Sequence, residues 1–342
     1  MKILVIQTAD ISDVILITPL IKQLKNISPN SQIDVVVRAE FGKLLKNNPN
    51  INKIILFNKK MGIIGFRRFK NEIKNTGYDM SFSLDYSFKA GRIVHSARIR
   101  TRFGFKIGFQ KHLLTESLTI PKNFHEKNKY LNLISLLSQS PHYSLNTELF
   151  PSADDINKAE KMMDSFLSTT ILMNPGSACF TKRWLLEYYL ELAQKLIEHE
   201  FCVVLSGNQS DREICDYIIQ KVTKKNRIKN IAGEFSILET VAVISKVALV
   251  VCNDCEVLHI ANAMNTPVFA FYGPTDKRTG YFPYRENDHI FEAIIPCRPC
   301  SKPNSKSCPE KHFGCMKKIS VEGVLKKILD FFDVEKQLNA YE

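Results

Sequence analysis

Short apolar runs alternate with stretches of helical periodicity through the first half of the chain. Four runs are bounded by turn residues and are predicted strands: MKILVIQ, IDVVVRAE, KIILFN and MSFSLD. Four other stretches are predicted helices, at residues 13–27, about 41–48, about 66–76 and about 86–98. Strands that alternate with helices are typical of a parallel, doubly wound sheet.

The second half repeats this alternation. Its predicted strands are TTILMNPG, FCVVLSG, VALVVCND and PVFAFYG. Its predicted helices are LLEYYLELAQKLIEHE, DREICDYIIQKVTKK, SILETVAVISKV, VLHIANAMN and a closing VEGVLKKILDFF. The segment 129–141 and the polar stretch after it are the predicted bridge. We therefore expect two open α/β domains, residues 1–150 and 151–342, with a cleft between them.

Charge is distributed unevenly over these two halves. The 342-residue chain has a net charge of +12, yet residues 1–150 hold 23 Lys and Arg against 10 Asp and Glu, while residues 151–342 hold 24 against 25. The first half is thus predicted to meet an anionic partner: nucleic acid, an anionic membrane surface or a phosphorylated small molecule. A basic surface that only favours solubility is the alternative.

The sequence shows neither a membrane span nor a secretion signal. No apolar run approaches the roughly 18 residues that a spanning helix requires. The N-terminus starts like a signal peptide, but Asp10 and Asp13 follow too early and no small-residue cleavage site appears. We interpret it as a buried first strand of a cytoplasmic protein.

Ligands of open parallel sheets bind beyond the carboxyl ends of the strands, so the residues that follow each strand are the first candidates. Asp13 lies near the start of the first predicted helix. A carboxylate there is favoured by the helix dipole and could act as a general base. A helix-capping role for Ser12 or Asp13 is the alternative.

The turn after TTILMNPG offers groups that can hold phosphate oxygens. Gly176 allows close backbone approach, and Ser177, Thr181 and Lys182 add two hydroxyls and a positive charge. The second glycine and the GK[ST] ending of a P-loop are missing. Trp184 is predicted to pack the next helix against the sheet.

Two further turns supply polar candidates. Asn208, after FCVVLSG, could bond a ribose or a base, or could be an ordinary turn residue. After VALVVC, the backbone N–H groups of residues 255–257 are predicted to face an anion at a helix N-terminus. Asp254 could cap that helix or bond a sugar hydroxyl. His259 lies one turn further on and could reach the same ligand, or could be a core histidine.

The chain has nine cysteines, and without a secretion signal free thiols are the expected state. A metal at Cys252 and Cys255 is less attractive because a CxxC pair needs two more ligands. A short loop rich in Pro, Lys and Ser holds four cysteines near His312 and could bind a structural zinc: Cys297, Cys300, Cys308 and Cys315. Free or redox-paired thiols are the alternative there.

Taken together, six segments in order resemble glycosyltransferase family 9, the ADP-heptose:lipopolysaccharide heptosyltransferases. They are MKILVIQTADISDVILITPLIKQLK, HEKNKYLNLI, ILMNPGSACFTKRWLLEYYLELAQKL with VVLSGNQSDRE, VVCNDCEVLHIANAMNTPVFAFYGPTD, and the cysteine-rich CRPC…C…CM. The resemblance covers nearly the whole chain. It implies a GT-B fold, in which two Rossmann-like domains face each other across a cleft and the last helix can return to the first domain.

The same resemblance implies an inverting, metal-independent transfer of a sugar from a nucleoside diphosphate to an acceptor held by the first domain. Asp13 falls on the position of the catalytic base, and Lys182, near Ser177, on that of the phosphate-binding lysine. Asp254 and His259 fall on donor-contacting positions. The implied partners are a nucleotide-sugar donor, a phosphorylated lipid or glycan acceptor and the inner face of the inner membrane, to which the protein attaches peripherally.

The sequence departs from the family pattern at two turns. Ser12 replaces the glycine of GDV, and Cys255 and Glu256 replace the hydroxyl residue and glycine of NDSGP or NDTGP. A like charge near a diphosphate costs about 1–4 kcal/mol, depending on solvation. Glu256 could point away and complement the helix dipole, it could bond a hydroxyl of a different donor, or the site could have decayed.

Three other interpretations fit the same sequence. A family member with another sugar donor is one, and a catalytically weak paralogue that binds a nucleotide sugar or a lipid is a second. Nucleic-acid binding is a third, although the first half lacks an aromatic RNA-binding motif. The segment 59–70, KKMGIIGFRRFK, is a candidate membrane-docking face in which basic residues bracket Ile63, Ile64, Phe66 and Phe69. A solvated helix end is the alternative for this segment.

Overall fold

The computed structural model describes residues 1–166 and 168–339. The chain divides into two compact units, Met1–Ser152 and Ala153–Glu342, so that the division lies two residues beyond the predicted position. Each unit is built on one six-stranded sheet whose strands all run parallel. In the part of the chain that the structure describes, no helix is both long and apolar enough to cross a bilayer.

The first unit has the strand order β3-β2-β1-β4-β5-β6. Its strands are β1 (Lys2–Ile6), β2 (Gln32–Arg38), β3 (Lys53–Phe57), β4 (Met80–Ser83), β5 (Thr101–Phe105) and β6 (Glu116–Leu118). Its α-helices are α1 (Ile11–Leu16), α2 (Thr18–Ile27), α3 (Ile63–Thr76), α4 (Phe88–Ser96) and α5 (Glu126–Asn132). The order reverses between β1 and β4, and ligands of such sheets bind at that point.

The predicted helix 13–27 is two helices in the structure. Helix α1 ends at Leu16, and α2 begins at Thr18, one residue before Pro19. Proline has no backbone N–H, so a continuous helix would lack one hydrogen bond there, whereas the first turn of a new helix tolerates proline. The predicted helix at 41–48 is a 3₁₀ helix over Ala39–Leu45.

The second unit has the strand order β12-β11-β10-β7-β8-β9. Its strands are β7 (Thr170–Asn174), β8 (Cys202–Leu205), β9 (Ile228–Asn230), β10 (Leu249–Asn253), β11 (Val268–Tyr272) and β12 (His289–Glu292). Its α-helices are α6 (Ala153–Met163), α7 (Leu186–Glu198), α8 (Arg212–Lys221), α9 (Ile237–Ile244), α10 (Glu256–Ala263), α11 (Gly314–Lys317) and α12 (Val321–Asn339). Here the order reverses between β7 and β10.

Trp184 anchors the core of the second unit. Its ring stacks on Phe271 of β11 with centroids 4.2 Å apart and meets Tyr189 of α7 edge-on at 5.2 Å. The indole N–H donates to the carbonyl of Ile319 at 3.0 Å, which satisfies its one polar group. The predicted packing of α7 on the sheet through Trp184 is confirmed. Helix α12 adds Phe332, which packs against Phe201.

Candidate active site

In the first unit, Asp13 lies just beyond the carboxyl end of β1, in the first turn of α1, and is buried. Its Oδ2 accepts the backbone N–H of Asp10 at 3.2 Å, which completes a capping box. Its Oδ1 accepts the hydroxyl of Tyr130, from α5, at 2.8 Å. Capping and a fixed, chemically useful carboxylate are therefore compatible, because different oxygens carry the two contacts.

The Tyr130 hydroxyl is oriented by a second partner. The side-chain amide of Gln7, at the end of β1, donates to the Tyr130 oxygen at 3.1 Å. The Gln7 side-chain oxygen in turn accepts the backbone N–H of Ala9 at 3.1 Å. Since the phenolic oxygen already accepts from Gln7, its single proton is directed to Asp13. This chain of bonds holds the carboxylate in one position.

A second acid lies near Asp13. Tyr86 follows β4, and its hydroxyl donates to the buried carboxylate of Glu126, which also pairs with Lys129 at 2.7 Å. Burial raises the pKa of Tyr86 far above its usual range, and the negative charges of Glu126 and Asp13 add to this effect. The Tyr86 hydroxyl therefore stays protonated and serves as a hydrogen-bond donor at any physiological pH.

Sequence analysis missed the contributions of Tyr86, Glu126 and Tyr130. Two of them lie in the segment HEKNKYLNLI, which contributed to the family resemblance, but no local pattern assigned them a role. Tyr130 and Asp13 are 117 residues apart in the chain. Only the fold brings α5 to the N-terminus of α1, so a single sequence carries no signal for this contact.

In the second unit, Lys182 and Asp254, which were each predicted to contact the sugar donor, form an ion pair. The Lys182 ammonium lies 2.8 Å from Asp254 Oδ2, and the hydroxyl of Thr275 donates to the same oxygen at 2.7 Å. Lys182 follows β7, Asp254 follows β10 and Thr275 follows β11, which are neighbouring strands. An ammonium has three donors, so a pair with one carboxylate leaves it able to contact an anion as well.

Asn253 ties the loop after β7 to the end of β10. Its Nδ2 donates to the carbonyls of Pro175 and Gly176, each at 3.0 Å, and its Oδ1 accepts the backbone N–H of Trp184 at 2.8 Å. Asn253 is fully buried. These three bonds fix both ends of the loop that carries Ser177 and Lys182, so Lys182 is presented from a rigid support.

Three other predicted donor-binding residues form hydrogen bonds within the protein. The Ser177 hydroxyl is half-buried and accepts the N–H of Cys179 at 3.4 Å. The buried Thr181 hydroxyl donates its proton to the carbonyl of Pro303 at 2.7 Å. The prediction that this hydroxyl binds a phosphate oxygen of the nucleotide sugar is therefore corrected. Asn208 accepts the N–H of Ser210 at 2.8 Å, as a turn residue does.

Helix α10 begins at Glu256, with Cys255 as its N-cap. The Cys255 thiol accepts a weak hydrogen bond from Asn174 at 3.5 Å. Glu256 is half-buried in the first turn, where its charge complements the helix dipole. His259 is 2% exposed, and its ring lies 6.1 Å from that of Tyr281, a placement that favours the core-histidine alternative.

Burial also decides the chemistry of Cys252. It raises the pKa of this thiol well above the usual value, and the hydrogen bond and charge of neighbouring Cys255 act in the same direction. Cys252 is therefore a neutral thiol of the buried core.

The cysteine-rich loop is held by hydrogen bonds. Arg298 donates to the carbonyls of Gly273, Ala293 and Thr275 at 2.6–2.8 Å, and Thr181 bonds the loop from the other side. All nine cysteines are free thiols. Within residues 1–166 and 168–339, no group of three or more His, Cys, Asp or Glu could hold a metal ion. Of the two alternatives for Cys297, Cys300, Cys308 and Cys315, a structural zinc or free thiols, this geometry favours free thiols. Cys297 Sγ lies 3.7 Å from His312 Nε2.

Gly176 is expected to be intolerant of a side chain. A Cβ at this position would lie 2.4 Å from the carboxylate of Asp211, which is buried and accepts the N–H of Asn208 at 3.0 Å. Gly176→Ala should therefore destabilise the protein by about 1–3 kcal/mol and lower its thermal midpoint by several degrees. Calorimetry of the purified variant measures this change.

Gly62→Ala is the matched control, because a Cβ there meets nothing within 4 Å. It should leave the thermal midpoint nearly unchanged. Equal losses in both variants would contradict this explanation, because only Gly176 lies against the Asp211 carboxylate.

The family model of glycosyltransferase family 9 (heptosyltransferase) matches residues 66–312. Lipooligosaccharide heptosyltransferase 2 of Haemophilus ducreyi is 31% identical over 296 residues, which cover 80% of this chain and 84% of the relative. Lipooligosaccharide heptosyltransferase 2 of Campylobacter jejuni is 24% identical over 336 residues, 96% of this chain and 98% of the relative.

Solved structures share the fold. The ADP-heptose LPS heptosyltransferase II of E. coli superposes with a TM-score of 0.82 at 24% identity and covers 98% of this chain and 100% of its own. E. coli heptosyltransferase WaaC, solved with ADP-2-deoxy-2-fluoro heptose, gives a TM-score of 0.75 at 16% identity, with coverages of 96% and 99%. The predicted fold class, GT-B with two Rossmann-like α/β units, is confirmed.

Proposed function

Because the chain belongs to glycosyltransferase family 9, the heptosyltransferases, we propose that it transfers a heptose or a related sugar from an ADP-sugar to a lipopolysaccharide core or another surface glycan. The observation that carries this proposal is the buried Asp13 carboxylate, held by Tyr130 at the switch point of the first sheet. The second unit supplies Lys182 at the corresponding point of its own sheet.

The first unit is proposed to hold the acceptor. Asp13 accepts the proton of an acceptor hydroxyl while that oxygen attacks the anomeric carbon of the donor sugar. The new bond forms on the face opposite the bond to the nucleotide, which breaks, so the configuration inverts. The proton remains on Asp13 until solvent removes it, and ADP leaves with the electron pair of the broken bond.

The second unit is proposed to hold the donor. Negative charge grows on the ADP phosphate as it leaves, and the Lys182 ammonium offers a positive charge to stabilise it. The N-terminus of α10 adds the N–H groups of its first turn. Glu256 opposes this stabilisation, and it is the observation that favours a binding-only paralogue as the second candidate function.

Release of nucleoside diphosphate tests the proposal. Purified protein is mixed with a panel of nucleotide sugars, ADP-heptose included, with and without a phosphorylated lipid acceptor. We expect ADP release only when both substrates are present, and the same rate in the presence of EDTA, since Lys182 and α10 supply the charge that a metal would provide. Tight donor binding without release would instead support the binding-only function.

Tyr130 is proposed as a positioning residue for the Asp13 carboxylate. Tyr130→Phe removes a hydrogen bond that favours the ionised acid, so we expect kcat to fall about tenfold and the acid limb of the pH–rate profile to move to higher pH. The measurement is kcat for ADP release as a function of pH. Tyr143→Phe is the control, because that hydroxyl bonds Asn132 at 2.8 Å. A lower rate with an unmoved profile would mean that Tyr130 only supports the fold.

A further inference from the structure

Exposed apolar side chains lie on both sides of Asp13 at one edge of the first sheet. Ile63 and Ile64, at the start of α3, are 90% and 71% exposed. Phe109, in the turn after β5, is 68% exposed. Single exposed apolar residues are ordinary on a protein surface. Two neighbouring exposed isoleucines at the start of a helix, with an exposed phenylalanine at the same sheet edge, instead indicate a surface that binds a partner.

The topology places these groups around the proposed acceptor site. All strands are parallel, so the segments after β3, β1, β4 and β5 emerge at one edge. Asp13 follows β1, two strands from β3 and, in the other direction, two strands from β5. At about 4.8 Å per strand, the segments that carry Ile63 and Phe109 leave the sheet roughly 10 Å to either side of the segment that carries Asp13.

Helix α3 does not need its isoleucines to fold. Its core face consists of Phe69 and Ile73, which are buried, with Phe66 partly covered beneath Arg92 at 5.2 Å. The expected docking role of Phe66 and Phe69 is therefore corrected, since both face inward. Ile63 and Ile64 remain as the outward apolar pair.

Basic residues surround the apolar groups. Next to the isoleucines lie Lys59, Lys60, Arg67 and Arg68, all exposed, and Phe109 is flanked by exposed Lys106 and Lys111. No salt bridge of these six side chains occurs in the described part of the chain. Their charges therefore face solvent beside exposed apolar side chains. Apolar side chains ringed by unpaired cations are typical of surfaces that bind anionic lipid.

We propose that this edge of the first unit, the docking edge, binds an anionic membrane surface. Ile63, Ile64 and Phe109 enter the headgroup boundary, and the basic residues around them contact lipid phosphates. The biological role of this membrane binding rests on the proposed function, because a lipid-borne acceptor in that membrane would be delivered to the edge that holds Asp13.

Vesicle sedimentation tests the proposal without any substrate. We expect the intact protein to sediment with phosphatidylcholine vesicles that contain phosphatidylglycerol, to remain free with phosphatidylcholine alone, and to be released as salt is raised. The double variant Ile63→Ser/Ile64→Ser and the double variant Lys59→Gln/Arg67→Gln should each bind about tenfold more weakly.

Two control variants lie at the opposite edge of the unit. Ile27→Ser changes an apolar residue that is 39% exposed at the end of α2, and Lys74→Gln removes a cation from the last turn of α3. Both should bind like the unmodified protein. Equal losses in test and control variants, or no preference for anionic vesicles, would overturn the docking edge.

ADP release from a water-soluble acceptor fragment separates this proposal from the proposed function. The Ile63→Ser/Ile64→Ser variant should retain that activity and lose activity toward acceptor embedded in vesicles. Normal vesicle binding with no transfer to either acceptor would refute the proposed function and leave the docking edge standing.

Discussion

Replacing Asp13 by Asn is expected to lower kcat for sugar transfer by about 10²–10⁴-fold, the usual contribution of a positioned general base. An amide cannot accept the acceptor proton at neutral pH, yet it has the shape of the carboxylate. The amide oxygen can still accept a hydrogen bond from the Tyr130 hydroxyl, which lies 2.8 Å from Asp13 Oδ1 in the unmodified protein. The chemical role is thus removed while most of the local packing is kept. Initial rates of ADP release at saturating donor and acceptor measure the effect.

Asp10→Asn is the matched control for this experiment. Asp10 lies in the same turn and carries the same charge, but its side chain is 82% exposed and pairs with Arg38 at 2.9 Å. We expect its kcat to change less than threefold, because exposed ion pairs contribute little. If Asp13→Asn kept a rate close to that of Asp10→Asn, Asp13 would be a helix cap and another group would have to take the proton.

Continuous apolar strands made most of the fold predictable from sequence. Strands such as β1, β7 and β10 are covered on both faces and appear as unbroken hydrophobic runs. The strands β5, β6, β9 and β12 were missed. Strand β5 is TRFGF, and β12 begins with a half-exposed histidine, so neither contains an unbroken apolar run.

A residue of the candidate site was predictable where its place directly after a recognisable strand was enough to identify it. Asp13 and Lys182 both follow a recognisable strand, and the carboxyl-end rule found them. The contacts of these residues were not predictable, because Tyr130 reaches Asp13 across 117 residues, and the Thr181 hydroxyl bonds a loop 122 residues away. The hydroxyl of Thr181 suits a phosphate as well as a carbonyl, and only tertiary structure decides between them.

Replacing Lys182 by Gln is expected to lower kcat/KM for the nucleotide-sugar donor by about 10²–10³-fold, as loss of one charge-stabilising donor does. The ammonium is the positive group that three neighbouring strands support through Asp254, Asn253 and Thr275. Lys221→Gln, at the exposed end of α8, is the control and should retain full activity. Steady-state kinetics with varied donor, together with ADP binding by calorimetry, measure the loss.

Lys182→Gln also removes the cation of a nearly buried carboxylate, so stability has to be separated from catalysis. The Asp254 side chain is 8% exposed, and without Lys182 its charge should destabilise the fold by about 1–3 kcal/mol. The double variant Lys182→Gln/Asp254→Asn removes both charges, and the Asn side chain can still bond Thr275. We expect it to recover most of the thermal stability, because the energies of two coupled residues are not additive. It should recover none of the activity, because the positive charge that stabilises the leaving ADP is still absent. Recovery of activity together with stability would mean that Lys182 serves the fold alone, and that the diphosphate is held by the N-terminus of α10 despite Glu256.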